Sequence, residues 1–275
     1  MEPILLIDTS YISFYRFHAT VFWYKKAHKD KEISSDYEWM QDQVFMDKFK
    51  SMYLKGIDKI LKKQKLDIPY TNFIFGLDCS RKDIWRRKLF PDYKKQRDYT
   101  GWKGRDVLKY AHTIFIDELS KKYGFNTIKI NNLEADDVLA ISKKYIREVL
   151  PNKKIIIITI DHDYFQLIDN NTTIINLQNK VLNNKSCGNP KKDLQIKILC
   201  GDPSDNIKGC FKRCGKKTAE KYCNNNTLLE KAFEKNEGSR DIYKLNQQLI
   251  DFDYIPNNLK QNTINLIKSF SLFYI

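Results

Sequence analysis

A mostly parallel α/β sheet with helices on both faces is the fold class this 275-residue sequence predicts, and three observations carry it. Short apolar runs alternate with stretches of helical periodicity, the pattern of strands buried on both faces. Those runs end, one after another, on acidic residues. The chain is also apolar enough, at 42% hydrophobic and 13% aromatic residues, to enclose a core of that kind.

Ile4 to Ile7 reads as the first strand, closing on Asp8, with Thr9 and Ser10 as cap residues and an aromatic helix over Tyr11 to Ala19. Tyr24 to Glu38 is polar and charged and reads as a surface insertion. Phe45, Phe49, Met52, Tyr53, Ile57 and Ile60 then mark one long amphipathic helix. After Pro69 a second strand, Phe73 to Leu77, ends at Asp78. Leu108, Ala111, Phe115 and Leu119 form a further helix that Gly124 terminates. A third strand lies between Asn126 and Ile130, followed by Glu134-Ala135-Asp136-Asp137 and a helix carrying Val138, Ile141, Tyr145 and Val149. Ile155 to Ile160 is the clearest strand and runs into Asp161-His162-Asp163. A helix-like Tyr164 to Ile168 and a last short strand, Thr173 to Leu177, complete the sheet.

The formal net charge of +14, from 48 Lys and Arg against 34 Asp and Glu, favours a polyanionic partner. The six cysteines follow no tight ligand spacing, and no His stands between Cys200 and Cys223, so zinc is not expected and reduced thiols are. Met1-Glu2-Pro3 lacks the basic start of a secretory signal, and no apolar run reaches the ~20 residues of a membrane helix. The expectation is a soluble intracellular protein.

Carboxylates gathered in Glu134, Asp136 and Asp137 repel one another and suit either a bound divalent cation or the start of a helix. In a parallel sheet, ligands bind beyond the carboxyl ends of the strands. Asp8, Asp78, the Glu134 cluster and Asp161 all stand just past such ends, so they share one rim. Oxygen donors without His or Cys suit Mg²⁺ or Mn²⁺. From Arg81 to Lys109 basic and aromatic residues interleave, a mixture fit for phosphates and stacked bases. Further on, Asp202 and Asp205 flank Pro203, Gly209 and Gly215 bracket a hairpin, and Lys216-Lys217-Thr218-Ala219 opens a helix whose N–H groups can hold a phosphate.

In their order along the chain these motifs resemble the structure-specific 5′ nucleases, a family that includes flap endonucleases, bacteriophage 5′ exonucleases and the 5′ nuclease domain of bacterial DNA polymerase I. The resemblance covers residues 1 to about 223. It rests on Asp8, Asp78, Glu134 to Asp137, Asp161 to Leu167, Gly201 to Ile207, and the basic motif Trp85-Arg86 with Tyr93 to Arg97. It implies a PIN-like core over 1–190, with a basic arch near 81–109. A helix-hairpin-helix and helical tail over 191–275 would follow and grip duplex DNA, with K⁺ at the hairpin. It implies two metal ions, the first held by Asp8, Asp78, Glu134 and Asp136 with Asp137 and Asp161 close by, the second by Asp163, Asp202 and Asp205. Lys94 and Arg86 would meet the scissile phosphate, while Tyr93, Arg97, Tyr99, Trp102, Lys103 and Arg105 would face the strand. Gly209, Gly215, Lys216, Lys217 and Thr218 would face the duplex. The family hairpin has Gly where Arg213 stands here, and the pattern from Asp8 to Arg16 also differs from its commoner forms.

The activity so implied is a Mg²⁺-dependent 5′-3′ exonuclease and flap endonuclease. Its partner would be DNA with a 5′ flap, nick or free, including RNA-primed, 5′ end, and the protein is expected to be a monomer. A PIN-type ribonuclease would share the acidic sheet without needing Gly201 to Ala219. A non-catalytic helix-hairpin-helix DNA-binding protein would not need all nine acids. Residues 224 to 255 read as polar helices, and Pro256 opens a last helix with Ile264, Ile267 and Phe270 to Phe273 as its apolar stripe.

Overall fold

The computed structural model describes residues 2–98 and 100–270. Its centre is a five-stranded sheet, all parallel, in the order β3-β2-β1-β4-β5. The strands are β1 (Ile4–Asp8), β2 (Phe73–Leu77), β3 (Asn126–Lys129), β4 (Ile155–Ile158) and β5 (Thr172–Ile175). β1 lies between β2 and β4, so successive connections leave it in opposite directions. That makes the carboxyl ends of β1, β2 and β4 the crevice of a doubly wound sheet. Asp8 sits level with Gly76, and Ile7 level with Ile158.

One face is covered by α1 (Thr9–Ala27), α2 (Gln43–Met52), α3 (Lys55–Lys63), α5 (Gly104–Tyr110) and α6 (Ile116–Tyr123), which bury Phe17, Phe45, Phe49, Tyr53 and Phe115 against Leu5, Ile7, Phe73 and Phe75. The short α4 (Arg86–Leu89) belongs to the basic segment. The opposite face is covered by α7 (Ala135–Val149) and by α12 (Asn257–Lys268), which pack on Ile4, Leu6, Ile74, Ile155 and Ile157. Between them in sequence come α8 (Pro190–Cys200), α9 (Lys216–Asn224), α10 (Asn226–Lys235) and α11 (Ser239–Ile250), with a smaller apolar cluster of Ile196, Leu199, Phe211, Leu229 and Phe233. α8, the loop from 201 to 215 and α9 form the expected helix-hairpin-helix. The tail beyond it does not stay with it, because Leu259 and Ile267 of α12 return to the sheet.

Several sequence expectations change here. α1 runs through to Ala27, eight residues past its expected end, and Tyr24 and Trp39 are buried, so 24–38 is no simple surface insertion. Tyr24 turns inward because its ring packs on Trp39 and Phe45 while its hydroxyl reaches Asp42. The single long helix over 45–60 is two, α2 and α3, broken at Tyr53 and Leu54 while the apolar stripe continues across the break. Between α5 and α6, residues Ala111–Phe115 widen into a π turn. β4 stops at Ile158, so Ile160 is exposed. Tyr99 and the end of the C-terminal stripe, Ser271 to Phe273, lie outside the described residues. No described helix is long and apolar enough to cross a membrane.

Candidate active site

Each acid of the rim is placed by the turn that follows its strand. Asp8 caps α1, accepting from the Tyr11 amide at 3.0 Å, and its second oxygen accepts from the Thr159 hydroxyl at 3.1 Å. Asp78 accepts from the Ala135 amide at 2.7 Å and from the Ser10 hydroxyl. That bond needs the start of α7 to lie hard against β2. Gly76 permits it, since a Cβ there would stand 2.9 Å from the Ala135 carbonyl oxygen and closer still to Leu139. Asp161 opens the 3₁₀ turn His162–Leu167 and accepts from the Asp163 amide at 2.9 Å.

Asp8, Asp78, Glu134, Asp136 and Asp161 line one cavity of about 540 Å³, together with Lys94, Arg97, Trp102, Arg105 and His112. Among the described residues no lysine or arginine pairs with Asp8, Asp78, Asp136 or Asp161. The crowding has an electrostatic signature. Burial, and then the neighbouring Asp78 charge, push the Asp8 carboxyl up to about 7. Asp136 is raised well above the carboxylate range by burial and by the charges of Asp137 and Glu134.

Glu134 is held differently. Burial would raise it, but Lys94 and Arg86 win and hold it below its ordinary value. The Lys94 ammonium donates to Glu134 Oε1 at 2.5 Å and lies 3.6 Å from Asp205. The same contacts raise Lys94 against the desolvation that would lower it, so it stays charged. Lys94 is also in the left-handed backbone region, φ +56°, where its amide donates to the Asp205 carbonyl at 3.0 Å. Tyr93 is buried, its hydroxyl 3.0 Å from one oxygen of Glu134 and one of Asp205. Tyr93, expected to face the strand, instead lies outside the cavity lining, because its ring packs inward to bring the hydroxyl to these two carboxylates.

Two expected site residues lie below this surface. Arg86, expected at the scissile phosphate, is 2% exposed and lies outside the cavity lining. Its guanidinium bonds both oxygens of Asp137, one oxygen of Glu134 and the Leu249 carbonyl. Asp137 is fully buried and also accepts from the Trp85 indole and the Glu134 amide. Glu134, Asp136 and Asp137 do bring one oxygen each within 4.8 Å of one another. Those of Asp137, however, are already occupied, so Asp137 shapes the cluster from beneath.

The three acids expected at a second ion also divide. Asp163 and Asp202 line an adjoining cavity of about 280 Å³, and the Lys197 ammonium of α8 stands between them, 2.9 Å from Asp202. Against its burial, Asp202 is held low by that lysine. Asp205 instead faces Arg97, at 2.6 Å, with Tyr93 and Lys94. Lys197, Ser10, Thr159 and His112 are the neighbours that sequence reading misses. The threonine that interrupts the isoleucine run just after β4 was the one available signal among them.

In the basic segment, Trp102 lines the cavity and packs on Phe17, Phe14 and His18. Lys103 pairs with Glu38 away from that lining. In the hairpin, Gly215, Lys217 and Arg213 are exposed, Lys216 opens α9 with its ammonium 3.5 Å from the Lys185 carbonyl, and Gly209 approaches the end of α8. The Thr218 amide is taken by the Gly215 carbonyl at 2.9 Å. Arg213 keeps the left-handed conformation, φ +58°, that suits the glycine expected there.

A parallel sheet carrying unpaired carboxylates at its carboxyl edge, beside fixed cations, defines a metal-dependent nuclease. The model of the 5′-3′ exonuclease N-terminal resolvase-like domain matches residues 3–192, and the chain belongs to the 5′-3′ exonuclease family. It is 29% identical to the ribonuclease H of Enterobacteria phage T4 over 84% of this chain and 81% of that protein. It is 32% identical to the 5′-3′ exonuclease of Buchnera aphidicola over 80% of this chain and 73% of the relative. The fold is shared with the T5 D15 protein crystallised with metal ions, at 17% identity, TM-score 0.63, and coverage of 97% of this chain and 99% of that one.

Proposed function

We propose that this 5′ nuclease hydrolyses DNA phosphodiester bonds at flaps, nicks and free 5′ ends, with Mg²⁺ or Mn²⁺ as its ions. The observation that carries the reading is the convergence of Asp8, Asp78, Asp136 and Asp161 on one cavity, none of them paired with a lysine or arginine among the described residues, while Lys94 lines the same cavity. Hard oxygen donors in that number fit a hard divalent ion, and the raised carboxyls are those an ion would return to the charged form. Asp8, Asp78, Glu134, Asp136 and Asp161 would hold the first ion, and Asp163 and Asp202 the second, with Asp205 positioning Arg97 and Lys94. Two such ions, when bound, would supply an activated water and stabilise the leaving oxygen.

The protein's own part is to place the phosphate and screen its charge. Lys94, kept protonated by Glu134 and Asp205, faces the cavity and would donate to a phosphate oxygen as charge builds there. Trp102 and Arg105 line the side where a single strand would enter. The exposed Lys217 and the N–H groups of α9 suit duplex phosphates, and the left-handed Arg213 leaves the hairpin backbone shaped for K⁺. The core over 1–190 would thus cut, and 191–275 would hold the duplex, the protein working as a monomer inside the cell.

A second reading, cleavage of RNA at RNA-primed 5′ ends, is favoured by the similarity to a protein named ribonuclease H. The experiment is Mg²⁺-dependent cleavage of labelled 5′-flap DNA, nicked duplex, RNA-primed duplex and unstructured RNA, with Asp161→Ala as control. Activity confined to unstructured RNA, or surviving that substitution, overturns the proposal.

A further inference from the structure

Between α5 and α6 the Ile116 amide donates to the Ala111 carbonyl, five residues back, where a regular α-helix reaches four. The extra residue splits the apolar stripe. Val107 and Ala111 are buried before it and Phe115 and Ile116 after it, while Ile114, where the first stripe would continue, is 53% exposed. The two helices can therefore face different partners. α6 keeps the sheet covered, and the face that carries Arg105, Leu108 and His112 lines the cavity of the acidic rim. Single π turns inside helices are frequent at functional sites.

His112 is the side chain this turn aims. Its Nε2 stands 3.1 Å from the buried Ser13 hydroxyl, which lies 2.7 Å from the buried Tyr53 hydroxyl. Burial lowers the imidazole against the pull of the nearby Asp78 charge and the Thr9 carbonyl, so the ring brings no cation into the rim. Ser13 lies one turn along α1 from Ser10, whose hydroxyl donates to Asp78. Asp8 caps that first turn through the Tyr11 amide. The rotation of α1 about its own axis therefore sets both carboxylates. Ile12 and Phe17 hold α1 to the core by apolar contact, and His112 holds its hydroxyl-bearing edge by a directed bond.

We propose that His112, delivered by the π turn, is a positioning residue for the nuclease reaction. Through Ser13 it fixes the first turns of α1, and so presets Asp78 and Asp8 for the divalent ion they would share. The inference rests on the reading of those two acids as ion ligands. Among the described residues no hydrogen bond joins His112 to either acid, so it acts through α1 and not as a ligand.

The test measures Mn²⁺ binding to the full chain, by electron paramagnetic resonance of the free ion, beside steady-state and single-turnover cleavage of 5′-flap DNA. His112→Ala is expected to weaken Mn²⁺ binding and to slow cleavage by about tenfold each, the lower end of what losing an outer support of a metal ligand costs. KM for the flap DNA should hardly change. His112→Gln, whose side-chain amide can reach Ser13, is expected to restore both. Ser13→Ala should reproduce the loss, and the double variant should be no worse than either single one, because the two residues act through one bond.

Wild-type Mn²⁺ affinity and rate in His112→Ala overturn the inference, as do losses that add in the double variant, a rise in KM at unchanged rate, or no recovery in His112→Gln. Where His112→Ala does not fold, His112→Phe fills the space without the ring nitrogens, and full Mn²⁺ binding and cleavage by that variant overturn the inference equally. If Asp161→Ala abolishes cleavage while His112→Ala does not slow it, the ion site stands and the positioning role falls. If wild type binds no Mn²⁺, the ion site itself falls, and the inference with it.

Discussion

The Arg86 guanidinium meets both oxygens of Asp137, at 2.7 and 2.8 Å, where neither side chain reaches solvent to any extent. Removing one member strands the other charge in the interior, which costs about 3–5 kcal/mol. Arg86→Met is therefore expected to lose that much stability in urea unfolding. The double variant Arg86→Met with Asp137→Leu should recover most of it. A double variant no better than the single one would show that Arg86 matters for Glu134 rather than for Asp137.

Lys94 is bound to a carboxylate already present before substrate arrives, so its loss should be felt more in turnover than in binding. Lys94→Met is expected to lower kcat by about 10²–10³, with KM for flap DNA changing far less. Single-turnover rates at saturating enzyme check this.

Asp8 sets the pH response of the metal-free protein. Its folded value, about 7, lies above its unfolded one, so the folded state prefers the protonated form. The associated stability is complete below the unfolded value and is lost as pH rises through about 7. In EDTA, stability and Tm should both fall between pH 4 and 7.5, the loss of stability being on the order of 4 kcal/mol for this group. Asp8→Asn should flatten the profile, and added Mg²⁺ should stabilise wild type more at pH 7.5 than at pH 5.

Lys197 occupies the space between Asp163 and Asp202 with a fixed positive charge. Its replacement by methionine should strengthen Mn²⁺ binding at the weaker site roughly tenfold, measured by calorimetry or by electron paramagnetic resonance of free Mn²⁺. Unchanged Mn²⁺ affinity would place the second ion elsewhere.

Trp102 lines the cavity and rests on Phe17 and His18. Trp102→Ala is expected to weaken binding of a 5′ single strand by about 1–3 kcal/mol, with little effect on blunt duplex. Fluorescence anisotropy with the two ligands separates the effects.

The rim was legible because strand ends, acids and parallel topology are local patterns whose consequences combine in only one way. Asp8, Asp78 and Asp161 follow from that logic directly. What was not legible depends on tertiary closure. Nothing near Arg86 distinguishes a side chain turned toward Leu249, 163 residues later, from one turned toward solvent. Lys197 looks like any lysine of a helix until Asp163 is brought in front of it. The break at Tyr53 and Leu54 was invisible because both helices bury the same stripe against the sheet.

The return of α12 to the sheet changes what the helix-hairpin-helix can do. A module attached at one end would swing; this one leaves the core after β5 and is pulled back to it by Leu259 and Ile267, so it is a span anchored on both banks. The stretch that carries the exposed hairpin at Arg213 is then tied on both sides to the sheet that carries the carboxylates. A duplex seated on the span would reach the rim at a set number of base steps, without any loop having to measure it.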